Sequence, residues 1–504
     1  MKKNKYAIVV SEVIAKIRPF IKPFLIVFVI YSVAMLSILR ANYSYMDDAG
    51  RAIDGYAWTS DFNRVSSSIL GFALNVNLRL SDISPLPQII AILMLSVSSV
   101  VLMGVFCRGR VSYLPLISSC FIGLTPFMYG CWVFKFDAPC MALSILVSVV
   151  PLIFWNKFNR IKTTRGKLAL FLFLALCMLA MWTSYQASSG VMAVFVIGLA
   201  MIDLLRGDKF YAVLKKVMFY CLAYLFSVLL FKVLFPDIDG NAYRTTEVFS
   251  FPELLSGISG NIGAVINAVV SSMNIYWRIL SMLVLICFGV FTIIFGVKRI
   301  GILKSLGVVI SSVLLMVMLS YGAYLILKDA PTLGRSLVGV GAFMAVISMA
   351  TFIFAERRSA VVFAGVCNIL LLYSFVVYGL AFGNGLASQK DYADFRIQRL
   401  IDEMIDSNVD IANNKQKIRL FGDIGLSPVM QHVRELYPVT DRIFDMQSGL
   451  NDKSTWGYRT MLRYFGVDML PDEEWEINCN KEISNSRYYN ISMDASKNIC
   501  VDIK

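Results

Sequence analysis

The sequence predicts an all-α polytopic membrane protein of about eleven transmembrane helices, followed by a small C-terminal α/β domain outside the membrane. Three observations carry this. The chain is 57% hydrophobic and only 16% charged, with a mean hydropathy of +0.67, where soluble domains average ~45–50% apolar and ~25% charged residues. Apolar runs of about 20 residues recur along most of its length. Beyond about Phe382 the composition turns polar.

The N-terminal stretch Met1 to Lys22 is basic, and the apolar run from Phe24 to Leu39 has no small-residue cleavage pattern after it. It reads as an uncleaved first span. The apolar runs then fall at approximately 20–40, 86–106, 111–129, 137–155, 168–184, 188–205, 217–235, 278–297, 305–327, 336–355 and 359–381. Each meets the length a bilayer requires, and in the third to sixth the short polar breaks also admit re-entrant segments.

Lysine and arginine set the orientation. Alternate connections hold Arg108 and Arg110, then Lys157 to Lys167, Arg206 to Lys216, Lys298 to Lys304, and Arg357 with Arg358. These belong on the cytoplasmic side with Lys2, Lys3 and Lys5. The other connections are richer in acids: Asp47, Asp48, Asp54, Asp61, Asp82, Asp137, Asp237, Asp239, Glu247, Glu253 and Asp329. Eleven spans put the N-terminus inside and the C-terminus outside. The outer connections are 41–85, 130–139, 182–187, about 236–277 and 328–335. Within the fourth, Glu253 to Ser272 is Gly/Ser-rich and weakly amphipathic, as an interfacial helix is.

Residues 1–382 form the membrane domain and 383–504 the second domain, at roughly 120 residues long enough to bury its own core. Ile397, Leu400, Ile401, Met404 and Ile405 have helical spacing, Lys417 to Gly425 reads as a strand and turn, and Ser427-Pro428 opens a helix. Cys479 and Cys500 would face an oxidising compartment, where a disulfide is permitted. The net charge of +13 does not indicate nucleic acid, because the basic residues lie in short clusters between apolar runs. The other cysteines lie mostly in apolar segments and read as small buried hydrophobes. No Cys/His cluster has metal-ligand spacing, and the only histidine is His432.

The stretch 41–85 concentrates chemistry. Asp47 and Asp48 follow the first span directly; adjacent acids there are either solvated loop residues or a general base for an incoming hydroxyl. Arg51 and Arg64 share the loop, and Lys135 and Arg335 stand in other outer loops, so all four are candidates to hold a phosphate. Asp137, before Pro139, either caps the next span or joins the site. Gln186, beside Tyr185, either bonds within the bundle or reaches a sugar hydroxyl. Tyr43, Tyr45, Tyr56 and Trp58 read as interfacial aromatics or as platforms for a sugar ring.

An ordered set of motifs runs from the first span to about Gly339: Tyr45-x-Asp47-Asp48-x-x-Arg51; Trp58 followed by Asn63-Arg64; Asp82 to Gln88; Lys135-Phe136-Asp137-Ala138-Pro139; Ser184-Tyr185-Gln186-Ala187; and Asp329-Ala330-Pro331-x-x-x-Arg335. In these the chain resembles the integral-membrane glucosyltransferases that modify bacterial O-antigen, the serotype-converting enzymes often encoded by temperate phages. The resemblance implies a GT-C-type fold in the inner membrane with the C-terminal domain in the periplasm. It implies undecaprenyl-phosphate glucose as donor and a sugar of the lipopolysaccharide O-antigen repeat as acceptor. It makes Asp47, Asp48 and Asp137 the candidate catalytic acids and Arg51, Arg64 and Arg335 the candidate phosphate ligands; the reading of the loop residues adds Lys135 to the latter and makes Tyr45, Trp58, Tyr185 and Gln186 the candidate sugar contacts. The donor-synthesising transferase and flippase are the expected partners. No cofactor is required: carboxylates can bind a divalent metal, but arginine alone can serve a monophosphate leaving group.

Two other readings share the composition. A GT-C-type enzyme could move mannose, galactose or aminoarabinose to lipid A, protein or another glycan, since the loops specify the sugar. A flippase or transporter should carry ionisable groups at mid-span; here the acids gather at the outer ends of the runs, with Lys232 near the end of its own.

Overall fold

The computed structural model describes residues 5–57, 63–235, 247–444, 450–471 and 477–504. The first helix, α1 (Lys5–Ala41), contains Pro19 and Pro23 and is followed by a turn into the short α2 (Asp48–Asp54). Then come α3 (Val65–Asn75), α4 (Leu86–Phe106), a bent pair of helical segments over Tyr113–Leu124 and Pro126–Trp132, and α5 (Ala138–Val149), which runs on as a 3-10 helix to Arg160. The membrane part continues through α6 (Thr164–Trp182), α7 (Ser189–Leu205), α8 (Phe210–Leu234), α9 (Leu254–Ser271), α10 (Ile275–Ile300), α11 (Ile302–Leu319), α12 (Val338–Phe354) and α13 (Arg358–Asp406).

Among the described residues ten helices are long and apolar enough to cross a membrane, and eleven if the bent pair is one span. The fold is therefore a mostly helical, polytopic membrane fold with a small sheet domain at its C-terminal end. Two segments depart from the sequence-based spans. The helix α9 is long and apolar enough to cross, yet both of its ends touch one end of the bundle. Before it, Phe249 donates to the carbonyl of Ile326 and Lys328 to that of Glu247, at 3.0 and 2.9 Å. After it, Ser271 and Ser272 accept from Arg442 of the second domain. Midway, the Asn261 amide donates to the carbonyls of Leu325 and Leu327. The helix thus lies along that end. The second departure is α12, an apolar helix of 17 residues, at ~1.5 Å rise near the lower limit for spanning. It is nearly all buried, between α7, α10 and the bent pair.

At the opposite end, Asp203 near the end of α7 is buried and accepts from Lys216 (2.8 Å), Trp155 Nε1 (2.9 Å) and Arg108 (3.1 Å). A buried carboxylate needs such partners. This network ties three of the basic connections together.

The change in composition near residue 382 falls inside one continuous helix. The first part of α13 packs on α1 and α10, while Ala393, Ile397, Leu400 and Met404 enter a second core with the sheet. The five strands are β1 (Lys417–Phe421), β2 (Leu470–Pro471), β3 (Lys481–Asn485), β4 (Tyr489–Met493) and β5 (Ile499–Ile503), in the order β2-β1-β5-β4-β3. β1 runs parallel to both its neighbours, and β5-β4-β3 is antiparallel. Buried Ile418, Leu420, Ile499 and Val501 form the sheet's inner face. Helix α14 (Pro428–Leu436) packs on α13 with Met430 and Val433 in the bundle core, whereas α15 (Thr455–Tyr464) flanks the sheet; each is capped by a serine, Ser427 and Ser454. Cys479 and Cys500 are joined by a disulfide.

The second domain is fastened to the bundle by further contacts, among them three that bear on the site. The Tyr45 hydroxyl donates to the carbonyl of Ile443. Arg463 on α15 pairs with Asp54 on α2 at 3.0 Å. Arg442 reaches the α9–α10 corner and Thr332. Gly334 permits the first contact: a Cβ there would stand 2.8 Å from Ile443 Cγ1.

Candidate active site

The site is built on the turn that reverses the chain after α1. The Asp48 N–H donates to the Tyr45 carbonyl at 3.0 Å, and Met46 adopts a left-handed φ of 48°. Non-glycine residues rarely take that conformation without support. The support is the Asp48 side chain. Its Oδ2 accepts the N–H of Tyr45 at 3.1 Å and that of Lys135 at 3.0 Å. Asp48 is 1% exposed, and its Oδ1 has no hydrogen-bond partner. Burial pushes its pKa up to about 7, against the two N–H donors and with Asp137 adding to the rise. Asp48 therefore holds the turn and joins two loops.

The segment Val133 to Asp137 is buried throughout. Asp137 pairs with Arg51 at 2.5 Å, and the Arg51 guanidinium lies over the Phe136 ring at 4.9 Å. Burial alone would lower the pKa of Arg51, but Asp137 outweighs it and the net shift is upward. Lys135 points elsewhere. Its ammonium contacts Asp82 at 3.0 Å and the Ser44 hydroxyl at 3.3 Å. Burial opposes ionisation of Asp82, but Ser84 and Lys135 outweigh it and its pKa falls.

Arg335 sits on the other side of the turn. Its guanidinium contacts Met46 Sδ and lies 5.5 Å from the Phe134 ring centroid, and it ion-pairs with no carboxylate among the described residues. The Tyr185 hydroxyl donates to the Arg335 carbonyl at 3.0 Å, and Arg64 lies over the Tyr185 ring at 5.5 Å. Arg64 is placed by the start of α3: Ser66 donates its N–H to Thr183 O at 3.1 Å, and the Ser67 hydroxyl donates to Ser184 O at 2.9 Å.

Asp47, at the N-cap position of α2, is half-buried, and its carboxylate makes no hydrogen bond or ion pair among the described residues. Burial raises its pKa, the like charge of Asp137 raises it further, and Arg335, Arg51 and Arg64 restrain the rise. It is thus a carboxylate without a direct partner in a positively biased setting.

A cleft of about 170 Å³ opens beside this group, lined by Tyr45, Met46, Gly130, Arg335, Arg442 and Phe444 among others. The expected site residues therefore divide. Asp47, Arg335, Arg64 and Tyr185 are brought together around the turn, with the Arg51–Asp137 pair behind them. Lys135 faces a different cleft. Tyr45 is buried edge-on against Phe134, 4.8 Å between centroids, so its ring offers no free face. Gln186 is half-buried at the start of a 3-10 turn. Trp58 lies outside the described residues. Arg442, Ile443 and Phe444 of the second domain also line the cleft; nothing in their local sequence marks them. Among the described residues no three His, Cys, Asp or Glu side chains converge to hold a metal ion.

A family model described as Glucosyl transferase GtrII matches residues 36–352, more than half of the chain. The chain belongs to this family. No curated protein matches it. The GtrII match begins in the last turns of α1 and ends near the end of α12. It takes in Asp47, Asp48, Asp137 and Arg335 and leaves the second domain outside. Membership makes glucosyl transfer the supported role, in agreement with the motif-based expectation.

Proposed function

We propose that this GtrII-family protein transfers glucose from undecaprenyl-phosphate glucose to a sugar of the O-antigen repeat, on the periplasmic face of the bacterial inner membrane. Asp47 is the general base. The observation that carries this assignment is the pairing pattern: Asp48 is bound into the turn and Asp137 into an ion pair, and Asp47 alone of the three has no direct partner among the described residues. A raised pKa suits a group that must accept a proton near neutral pH.

In this reaction the acceptor hydroxyl oxygen attacks the anomeric carbon. The bond from that carbon to the phosphate oxygen breaks, and its electron pair leaves with the polyprenyl phosphate. The hydroxyl proton passes to Asp47. A single displacement inverts the anomeric centre, through an oxocarbenium-like state by analogy with glycoside hydrolysis. Arg335, with no carboxylate partner among the described residues, is the principal contact for the departing phosphate, and Arg64 a second. The Arg51–Asp137 pair shapes the wall behind Asp47. A lipid donor needs a site at the membrane boundary, and this cluster lies at one end of the helical bundle. The Cys479–Cys500 disulfide suits an oxidising compartment for that end, with the N-terminus in the cytoplasm.

The test is the O-antigen of cells that make the donor and a suitable acceptor, with and without this protein. Repeat units should gain one hexose with the protein and none with the Asp47→Asn variant. An unchanged repeat mass in cells holding stably inserted wild-type protein would overturn the assignment.

A further inference from the structure

A second cleft, of about 180 Å³, lies on the far side of the 42–46 segment from the Arg335 cleft. Ile38 and Leu39 at the end of α1 give it an apolar wall. Tyr43, Ser84, Gln88 and Lys135 give it a polar one. It sits where α1 and α4 reach the site end of the bundle, and the N-terminus of α4, a helix of 21 residues, borders it. Gln88 is 5% exposed, and its side-chain oxygen is buried with no hydrogen-bond partner among the described residues. Leaving such a group unpaired is costly. Lys135, 4% exposed, contacts Ser44 and Asp82 through its ammonium, and an ammonium has three N–H donors.

We propose that this cleft binds the headgroup of a lipid phosphodiester that carries hydroxyl groups. The remaining Lys135 N–H and the positive end of α4 meet a phosphate oxygen. The Gln88 amide takes a hydroxyl, and Ile38 and Leu39 border the first methylenes of the lipid. Asp82 balances the charge of Lys135, so a free phosphate dianion gains little here while a singly charged phosphodiester with hydroxyl donors satisfies both polar groups. The proposal rests on the transferase reading only in part. A glycosylated polyprenyl phosphate and a phosphatidylglycerol share this chemistry. The former would make the cleft a holding position for the donor, next to the loop that Asp48 ties to Lys135.

The experiment is thermal unfolding of the full-length protein in detergent, titrated with short-chain phosphatidylglycerol, with a short-chain polyprenyl-phosphate glucose, or with inorganic phosphate. At least one lipid should raise the midpoint saturably, and inorganic phosphate should not. Gln88→Leu and Lys135→Met should weaken that lipid tenfold or more, and Arg335→Met should keep a Gln88-dependent shift. Whichever lipid depends on Gln88 identifies the source. Should Gln88→Leu fail to fold, Gln88→Glu keeps the shape and should weaken binding through charge. Wild-type lipid affinity in the Gln88 and Lys135 variants, no lipid effect, or an equal effect of inorganic phosphate would each overturn the proposal. Binding is read without turnover, so a failed glycan test leaves this result interpretable.

Discussion

Asp48 accepts the backbone N–H of Lys135 at 3.0 Å, through the same oxygen that accepts the N–H of Tyr45. One carboxylate oxygen thus fixes the turn after α1 and the buried 133–137 segment relative to each other. Its neighbour Asp47 has no such duty. The two adjacent acids should therefore respond differently to one substitution. An asparagine at position 48 can still present an oxygen to both N–H groups, so Asp48→Asn should stay within about tenfold of wild-type transfer, whereas Asp47→Asn should lose ~10²–10⁴-fold, the usual contribution of a positioned base. Transfer of labelled hexose from the lipid donor, with variant amounts in the membrane matched, measures both. Equal loss in the two variants would refute the division of labour.

The buried Asp48 also predicts a pH dependence of stability. Its folded-state pKa of about 7 lies above the usual 3.8. Between those values the folded state binds more protons at this site than the unfolded state. Stability must therefore fall as pH rises through this window. Asp48→Asn removes the titrating group, so the fall in unfolding midpoint from pH 4.5 to pH 7.5 should be shallower in the variant. Parallel curves would show that another group governs the slope. Transfer should move the other way: the raised pKa of Asp47 requires its deprotonation before it acts, so turnover rises with pH until Asp47 is ionised.

The Arg51–Asp137 pair is almost fully enclosed, at 5% exposure for each residue. Breaking such a pair by removing one partner costs about 3–5 kcal/mol, because the other charge remains buried, while replacing both by apolar groups is often neutral or better. Arg51→Met should therefore lower the unfolding midpoint sharply, and Arg51→Met with Asp137→Leu should recover most of the loss. Recovery of stability without recovery of transfer would separate wall-building from chemistry.

Arg442 fastens the second domain to the α9–α10 corner through Ser272 at 3.0 Å and Ser271 at 3.2 Å. Hydrogen bonds to a charged group contribute about 1.5–3 kcal/mol. Arg442→Ala should speed limited proteolysis in the 328–335 loop and raise the apparent KM for the acceptor. The folding of the sheet domain, followed through the Cys479–Cys500 disulfide, should be unchanged.

Much of this architecture is legible in the sequence, since an apolar run of about 20 residues has few soluble alternatives. The outer-loop motifs likewise converge on one end of the bundle. What the sequence hides is who pairs with whom. Arg51 and Asp137 stand 86 positions apart, and Lys135 and Asp82 stand 53 apart. No periodicity connects loops across a bundle, so four residues that look alike as phosphate ligands turn out to have different partners. Arg335 ion-pairs with no carboxylate among the described residues, Arg51 is bound to Asp137, Lys135 to Asp82, and Arg64 lies over the Tyr185 ring. The continuity of α13 is hidden for a different reason. Composition shifts from apolar to polar near residue 382, but a helix keeps its hydrogen bonds through such a shift when its next turns still bury Ala393, Ile397 and Leu400 at helical spacing.

That single helix of 49 residues extends for roughly 74 Å at 1.5 Å per residue, more than twice the ~30 Å of the hydrocarbon layer. The second domain is thus carried on a mast, not on a tether. Its height above the bilayer and its compass bearing are set by counting residues. One residue inserted near Lys390 would swing everything beyond it by about 100°, pulling Ile443 from Tyr45 and Arg463 from Asp54. The length of α13 is therefore a ruler for the gap between the second domain and the turn that carries Asp47.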